Sequence, residues 1–188
     1  MYSDFEIVEG CLKNEKKFQE ILYKNYAPKM FGICLRYASD RDMANDLLQE
    51  GFIKIFNALN TFKFQSSLNS WMYQIIVRNS INYVTRKIKF HDDIDTLNPR
   101  FEPIEEVDEQ EKNHWLNHIS RDEALLMIQD LPEKYRLVMN MYAIDQMSHS
   151  DISEFLGITE SSSRSQLSRA RKLLTEALRI KLKQKIAG

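Results

Sequence analysis

Helical periodicity runs through almost the whole of this chain and constrains the fold more than any other feature of the sequence. Apolar residues recur every three or four positions, glycine occurs five times in 188 residues, and strand-like alternation is absent. The pattern stops at about Phe90 to Asn117, where two prolines and many acids occur. We therefore predict an all-α protein with two small domains, an N-terminal helical bundle (1–90) and a C-terminal helix-turn-helix domain (119–188), joined by an acidic linker (91–118).

No signal for secretion or membrane insertion is present in the sequence. The N-terminus, MYSDFEIVEG, lacks the basic start and apolar centre of a secretion signal, and no apolar run could span a bilayer. We therefore expect a cytoplasmic protein without stable membrane insertion. Cys11 and Cys34 are predicted to be buried, reduced thiols, because a disulfide or metal site would need further ligands at shorter spacing.

Charge is distributed in blocks, although the formal net charge is only -1. No acid occurs from Thr61 to Phe90, acids dominate from His91 to Glu111, and the segment from Arg164 to Lys185 is basic. Two basic segments separated by an acidic one predict two nucleic-acid contacts and a solvated connector.

The stretch from Ser148 to Lys172 has the pattern of a helix-turn-helix. Ser148 with Asp151 predicts a capping box, Gly157 a helix end, and Thr159 the cap of a second helix. Short hydroxyls would let that helix approach the major groove, where arginines can bond guanine or phosphate. A helical hairpin with a solvated polar face is the alternative. The residues predicted to contact DNA are Thr159, Ser161, Ser162, Arg164, Ser165, Ser168, Arg169 and Lys172.

In the first domain, an apolar stripe predicts a helix that Pro28 should break or kink. Ser39 and Asp42 predict a capping box for the next helix, over Asp40 to Leu59. The side of this helix away from its apolar stripe carries an isoleucine among acids, which suggests a protein partner with a basic surface. A solvated face with one stray isoleucine is the alternative. This surface, here called the acidic face, consists of Asp46, Gln49, Glu50 and Ile53.

A turn-like segment over residues 60–69, here called the aromatic loop, precedes a predicted helix from about Ser70 to Lys89. Aromatic residues that interleave with a lysine and small polar residues suit single-stranded DNA, because aromatic rings stack on bases. Core packing is an equally good interpretation of Phe62 and Trp71. The residues predicted to contact DNA here are Phe62, Lys63, Phe64, Trp71, Gln74, Arg78, Asn82 and Arg86.

The sequence offers no catalytic set, phosphate-binding loop or metal-ligand spacing, and its four histidines are scattered. His114 and His118 are four residues apart but lack a further soft ligand nearby. We therefore predict no enzymatic activity, no cofactor and no metal site.

Several segments together resemble the extracytoplasmic-function (ECF) group of sigma factors in the sigma-70 family. They are ANDLLQEGFIKIF, SSLNSWMYQIIVRNSINYVTRK, LPEKYRLVMNMY and MSHSDISEFLGITESSSRSQLSRARKLL. The resemblance covers about residues 16–90 and 119–178, and the occurrence of all segments in order makes it specific.

This resemblance implies a protein that carries core RNA polymerase to promoters and helps to melt them, without being an enzyme. The acidic face would bind the clamp coiled coil of polymerase, and the flap is a further implied contact. The aromatic loop would capture a flipped base of the −10 element, and the helix after it would grip DNA at the melted edge. Arg164, Ser165, Ser168 and Arg169 would read the −35 element. An anti-sigma factor is a further implied partner.

Three departures from the family pattern affect the predicted contacts. Arg78 stands where the family usually has asparagine, with Asn79 one place later. Ser163 replaces a core aliphatic residue, which predicts a looser or tilted turn, and Gln166 replaces an arginine that would contact phosphate. The promoter sequence that this protein prefers therefore cannot be inferred from the preferences of related proteins.

Two other functions fit parts of the sequence. A helix-turn-helix regulator that binds duplex operators as a dimer would leave the aromatic loop and the basic helix of the first domain without a role. A protein-interaction module without promoter activity would leave the basic, hydroxyl-rich final helix unexplained.

Overall fold

The computed structural model describes residues 2–91 and 119–187, with side chains described for 2–88 and 119–184. Within those ranges the chain is helical and contains no strand, as the sequence predicts. The chain divides into two compact units between Val84 and Thr85. The predicted linker, except for its first residue, and the pair His114 and His118 lie outside the described residues.

The first unit contains four α-helices and one 3-10 turn, the last helix continuing past the division between the units. They are α1 (Asp4–Leu12), α2 (Lys16–Tyr37), α3 (Arg41–Ala58), the 3-10 turn (Leu59–Thr61) and α4 (Leu68–His91). The second unit contains α5 (Arg121–Gln129), α6 (Glu133–Met139), a π-helical turn (Asn140–Ile144), α7 (His149–Leu156) and α8 (Glu160–Ala187).

Helix α2 passes through Pro28 without ending, so the predicted break is wrong. Pro28 itself is exposed, whereas Ala27 and Met30 on either side of it are buried. Burial of these neighbours in the core outweighs the one backbone hydrogen bond that proline cannot make.

Helix α3 begins one residue later than predicted and has a different cap. The Asp40 carboxylate accepts a hydrogen bond from the Met43 amide at 2.8 Å, and the helix starts at Arg41. The Ser39 hydroxyl donates to Asp40 at 2.9 Å instead of capping the helix, so the predicted capping box of Ser39 and Asp42 is wrong. An ionised carboxylate also suits the positive end of the helix dipole better than a hydroxyl.

Helix α1 was not predicted from the sequence. Ser3 and Glu6 form a reciprocal capping box that starts it, and Ile7 and Val8 bury its inner side. Gly10 lets α1 approach α2 closely, because a Cβ atom at this position would lie 2.2 Å from the ring of Phe18. The helix is therefore a fixed part of the first unit.

The second unit is built around capped helix starts and one buried arginine. Capping boxes of Ser120 with Glu123 and of Ser148 with Asp151 are both present, the second as predicted. The Arg136 guanidinium is buried and donates to the carbonyl oxygens of Gln129 and Leu131 at 2.6 and 3.1 Å. Gln129 is the last residue of α5 and Leu131 lies between the helices, so these bonds fix the turn into α6.

Both cysteines are free and buried, as predicted. Burial raises the pKa of Cys11 to about 11 and that of Cys34 to about 12, so both thiols stay protonated near neutral pH. Across residues 2–91 and 119–187, no helix has the length and apolar character needed to cross a membrane.

We predict opposite effects of alanine at two helical glycines. Gly10→Ala should lower the free energy of unfolding by about 1–3 kcal/mol, because its methyl group would overlap Phe18. Gly32→Ala is the matched control inside α2, where an added Cβ atom would meet nothing within 4 Å beyond the adjacent residues and the backbone of its own helix, and should raise stability by about 0.5–1 kcal/mol. Urea unfolding followed by circular dichroism measures both, and an unaltered or raised midpoint for Gly10→Ala would contradict the close helix contact.

Candidate nucleic-acid interface

The acidic face lies on the outer side of α3, opposite the buried residues Ala44, Leu47 and Leu48. Asp46, Gln49 and Ile53 are exposed, and Ile53, the apolar residue of the acidic face, is 60% exposed. Glu50 is half-buried and pairs with Lys54 at 2.8 Å. The structure therefore brings the four predicted residues onto one surface.

Behind this surface, a polar contact joins α3 to α4. Asn79 is almost fully buried, and its side-chain amide donates to the carbonyl oxygen of Leu47 at 3.3 Å. Its oxygen accepts a hydrogen bond from Lys54, which also pairs with Glu50. The shift of asparagine from position 78 to 79 thus places this amide in the core, while Arg78 is exposed on the outer side of α4.

The aromatic loop presents one ring to solvent and buries another. Phe64 is 44% exposed and has a φ of 56°, in the left-handed region that bulky residues rarely adopt. Phe62 is only 8% exposed, with its ring 4.6 Å from Phe64 and 5.3 Å from Trp71 between centroids. The structure therefore favours the core interpretation of Phe62, whose ring supports the other two, while its contact with DNA stays a prediction.

Helix α4 begins at Leu68, two residues before the predicted start, and Ser67 caps it by accepting from the Ser70 amide at 3.1 Å. Its predicted DNA-binding residues share the exposed side of the helix: they are Gln74, Arg78, Asn82 and Arg86. Lys63 in the loop is exposed as well, whereas Trp71 is half-buried. The exposed residues of the loop and those on the polar side of α4 therefore follow one another along the chain.

Helices α7 and α8 form the predicted helix-turn-helix. Gly157 ends α7 in the left-handed conformation with a φ of 68°, and the Thr159 hydroxyl accepts from the Ser162 amide at 3.0 Å to cap α8. Ile152 and Leu167 are buried between the two helices. The backbone thus has the turn that a recognition helix requires.

The predicted contact residues of α8 are not equally accessible. Thr159, Ser161, Arg164 and Lys172 are exposed, and the other four are half-buried: they are Ser162, Ser165, Ser168 and Arg169. Arg164 pairs with Glu160 at 2.5 Å, a contact that the sequence did not predict. Arg169 donates to the Tyr135 hydroxyl at 3.4 Å, which directs it toward α6.

Ser163, for which a looser or tilted turn is predicted, is fully buried. Its hydroxyl lies 2.8 Å from Nδ1 of His149, the first residue of α7. The His149 ring also stacks on Tyr142, with centroids 4.5 Å apart and planes at 20°. A hydrogen bond between α7 and α8 therefore takes the place of an aliphatic contact, a partner that no local sequence pattern could indicate.

In the part of the chain that the structure describes, no group of three or more histidine, cysteine or acidic side chains could hold a metal ion. The candidate interface is accordingly one of polar, aromatic and cationic side chains.

Comparison with known families agrees with this division of surfaces. The family model "Sigma-70 region 2" matches residues 22–89, which contain the acidic face, the aromatic loop and most of α4. The model "Sigma-70, region 4" matches residues 121–174, which contain the helix-turn-helix. Together the matches span well over half of the chain.

Curated relatives extend the similarity over nearly the full length. The RNA polymerase sigma-H factor of Pseudomonas aeruginosa is 26% identical over 192 residues and covers 96% of each chain. The ECF RNA polymerase sigma-E factor of Haemophilus influenzae is 27% identical, over 92% of this chain and 93% of its own. This protein belongs to the sigma-70 family, in its ECF group.

Solved structures similar to this chain include the sigma factor RpoE of Bartonella quintana in complex with the anti-sigma factor NepR. It is 18% identical, with a TM-score of 0.46, and the similarity covers 86% of this chain and 96% of that one. CnrH in complex with the cytosolic domain of CnrY is 15% identical, with a TM-score of 0.45 over 94% and 97%.

We predict that the second unit loses stability in mild acid through His149. Burial lowers the pKa of this imidazole, and the guanidinium groups of Arg164 and Arg171 lower it further against the opposing effect of Glu160. The unfolded chain therefore binds the proton more readily, so stability is full above about pH 6.5 and falls as the pH drops below it. His149→Asn should flatten this dependence between about pH 7.5 and 5.5 in thermal unfolding, whereas parallel curves would contradict it.

Proposed function

We propose that this protein binds core RNA polymerase through the acidic face and uses its two DNA-binding surfaces to recognise and melt promoters. Promoter recognition by a sigma factor is the function that the family carries, and the operator-binding dimer is not favoured. The roles of individual residues are part of this proposal. The observation that supports them is that each predicted DNA-binding surface falls inside one of the two family matches.

The acidic face has the composition of a protein-binding surface. An isoleucine 60% exposed and surrounded by acids offers an apolar anchor inside a polar rim, which suits a basic helical partner. The clamp coiled coil of polymerase would be that partner. Asp46, Gln49 and Ile53 would contact it directly, while Glu50 would do so from its pair with Lys54.

The aromatic loop and α4 would handle the −10 element. Phe64 and Lys63 are exposed in the loop, so a base taken out of the stack can meet the ring while the backbone phosphate meets the ammonium group. The exposed amides and guanidinium groups along α4 would follow the strand away from the loop. Trp71, half-buried, would support one side of the site.

Helix α8 would read the −35 element in the major groove. Arg164 is the residue best placed to bond a guanine edge, because its exposed pair with Glu160 is worth only about 0.5 kcal/mol and is easily exchanged. Ser161, Ser165 and Lys172 would complete the contact. Thr159 and Ser162 would place the helix N-terminus near a phosphate, and Arg169 would act from beside Tyr135.

Further partners follow from the same proposal. An anti-sigma factor would hold the protein inactive, a polymerase flap contact would seat the second unit, and the protein would act in the cytoplasm without any catalytic step of its own. Sigma factors named with anti-sigma partners occur among the similar solved structures. The proposal needs no cofactor or metal.

Run-off transcription tests the function directly. Purified bacterial core polymerase is first captured with this protein and then used on genomic fragments. Discrete start sites that depend on the protein would support the proposal. Binding to duplex DNA without any binding to core polymerase would favour an operator-binding regulator, and core binding without start sites would favour an interaction module.

We predict that Gln49→Ala combined with Ile53→Asp lowers affinity for core polymerase about tenfold or more, because it removes the apolar anchor. Helicity and unfolding midpoint should stay unchanged, since both residues are exposed. Leu12→Asp places the same charge at an exposed apolar residue of α1 and should bind like the unaltered protein. Unchanged affinity of the double variant in a fluorescence titration would exclude the acidic face.

We predict that Arg164→Ala lowers the preference of the holoenzyme for its promoter over random duplex about tenfold, through loss of a base contact. Lys183→Ala removes an exposed charge from the far end of α8 and should leave this preference intact. The ratio of the affinities for promoter and random duplex, measured by competition at constant salt, tests this prediction. Equal weakening on both DNAs would assign Arg164 to phosphate binding alone.

A further inference from the structure

Helix α1 places an aromatic ring at the edge of the aromatic loop. Phe5 is 59% exposed, and its ring centroid lies 5.4 Å from that of Phe64. Phe64 lies 4.6 Å from Phe62, which in turn lies 5.3 Å from Trp71. Each of these four rings therefore contacts the next, and the two most exposed, Phe5 and Phe64, come from different parts of the chain.

Packing alone does not explain the two outer rings. Phe64 holds the left-handed conformation, which is strained for a bulky residue, and still leaves much of its ring in water. Phe5 buries even less of its ring, although it contacts another aromatic residue. Backbone strain of this kind is typical of binding sites, and an exposed aromatic pair is a candidate contact surface.

Several contacts fix α1, and with it Phe5, before any ligand arrives. The Tyr26 hydroxyl donates to the Asp4 carboxylate at 2.6 Å, and Ile7 and Val8 are buried beneath the helix. The close approach at Gly10 sets the distance from α2. A ring held in place in this way loses little further freedom on binding, which favours affinity.

The charges around the pair are of both signs. The carboxylates on either side of Phe5 are both engaged, Asp4 by Tyr26 and Glu6 by the Ser3 amide at 2.8 Å. The loop contributes the exposed Lys63 and no acid. Hydrogen bonds from neutral donors do not neutralise these carboxylates, so the cation available to a phosphate is Lys63, which follows Phe62 and precedes Phe64 in the loop.

We propose that Phe5 stacks on an unpaired base of the promoter strand, next to the base that the aromatic loop captures. The inference rests on the proposed sigma-factor function and makes α1 part of the −10 site. Because every base has a π-face, this contact holds the strand without selecting its sequence. Phe5 therefore lengthens the lifetime of the melted complex and leaves promoter choice unchanged.

The test uses the full chain bound to core polymerase and a premelted duplex that carries a promoter found by run-off transcription. The fluorescent base aminopurine replaces one unpaired non-template base at a time, and stacking on an aromatic ring quenches it. Phe5→Leu keeps an apolar side chain against Phe64 but removes the aromatic face, and Phe5→Tyr retains that face. Leu12→Ala alters another exposed apolar residue of α1 as the control.

We expect Phe5→Leu to restore fluorescence at one position, adjacent to the position that Phe64→Leu affects. It should also shorten the half-life of the complex about tenfold, the size of effect typical of base stacking. Phe5→Tyr and Leu12→Ala should behave like the unaltered protein. The start sites should stay unchanged in these two variants and in Phe5→Leu, but not in Phe64→Leu.

Three results would overturn the inference. If only Phe64→Leu changes the quenching, the loop captures a base and Phe5 does not stack. If Phe5→Leu leaves quenching intact and weakens core polymerase binding, the ring is a protein contact. If the unaltered holoenzyme quenches no position and starts no transcript, the proposed function itself fails, and this inference with it.

Discussion

The buried amide of Asn79 sets the arrangement on which the first unit depends. It donates to the Leu47 carbonyl and accepts from Lys54, and a buried polar group of this kind must keep its partners in place. These bonds fix the register of α3 against α4. Because the acidic face and the proposed −10 contacts are the outer sides of these two helices, this core contact positions one proposed surface relative to the other.

Local chemistry explains why much of the fold was predictable. Apolar period predicted α3 and α4, and apolar period together with capping residues predicted α7 and α8, since both signals act within a few residues. The same chemistry was present for α1, where Ser3 precedes Glu6 by three positions, but its apolar stripe is too short to stand out. The predicted break at Pro28 is wrong because burial in the tertiary structure overrides the local tendency of proline to end a helix.

The candidate site was predictable in outline and not in its contacts. The sequence indicates which residue types lie on an outer face, and the acidic face and α4 residues are accessible as expected. It cannot separate Phe62 from Phe64, because burial of one ring and exposure of the other depend on α1 and on a left-handed turn. Nor could the sequence show that the exposed guanidinium of Arg164 pairs with Glu160.

The hydrogen bond between Ser163 and His149 couples two positions that lie fourteen residues apart in the chain. An aliphatic residue at position 163 would leave the imidazole nitrogen without its hydrogen-bond partner, and an apolar residue at 149 would do the same to the buried hydroxyl. Either change alone therefore lowers the stability of the fold. Replacing both at once by residues of matching shape avoids that cost. In diverging copies of this protein the two positions should therefore mutate together, which makes them a marker of descent within the second unit.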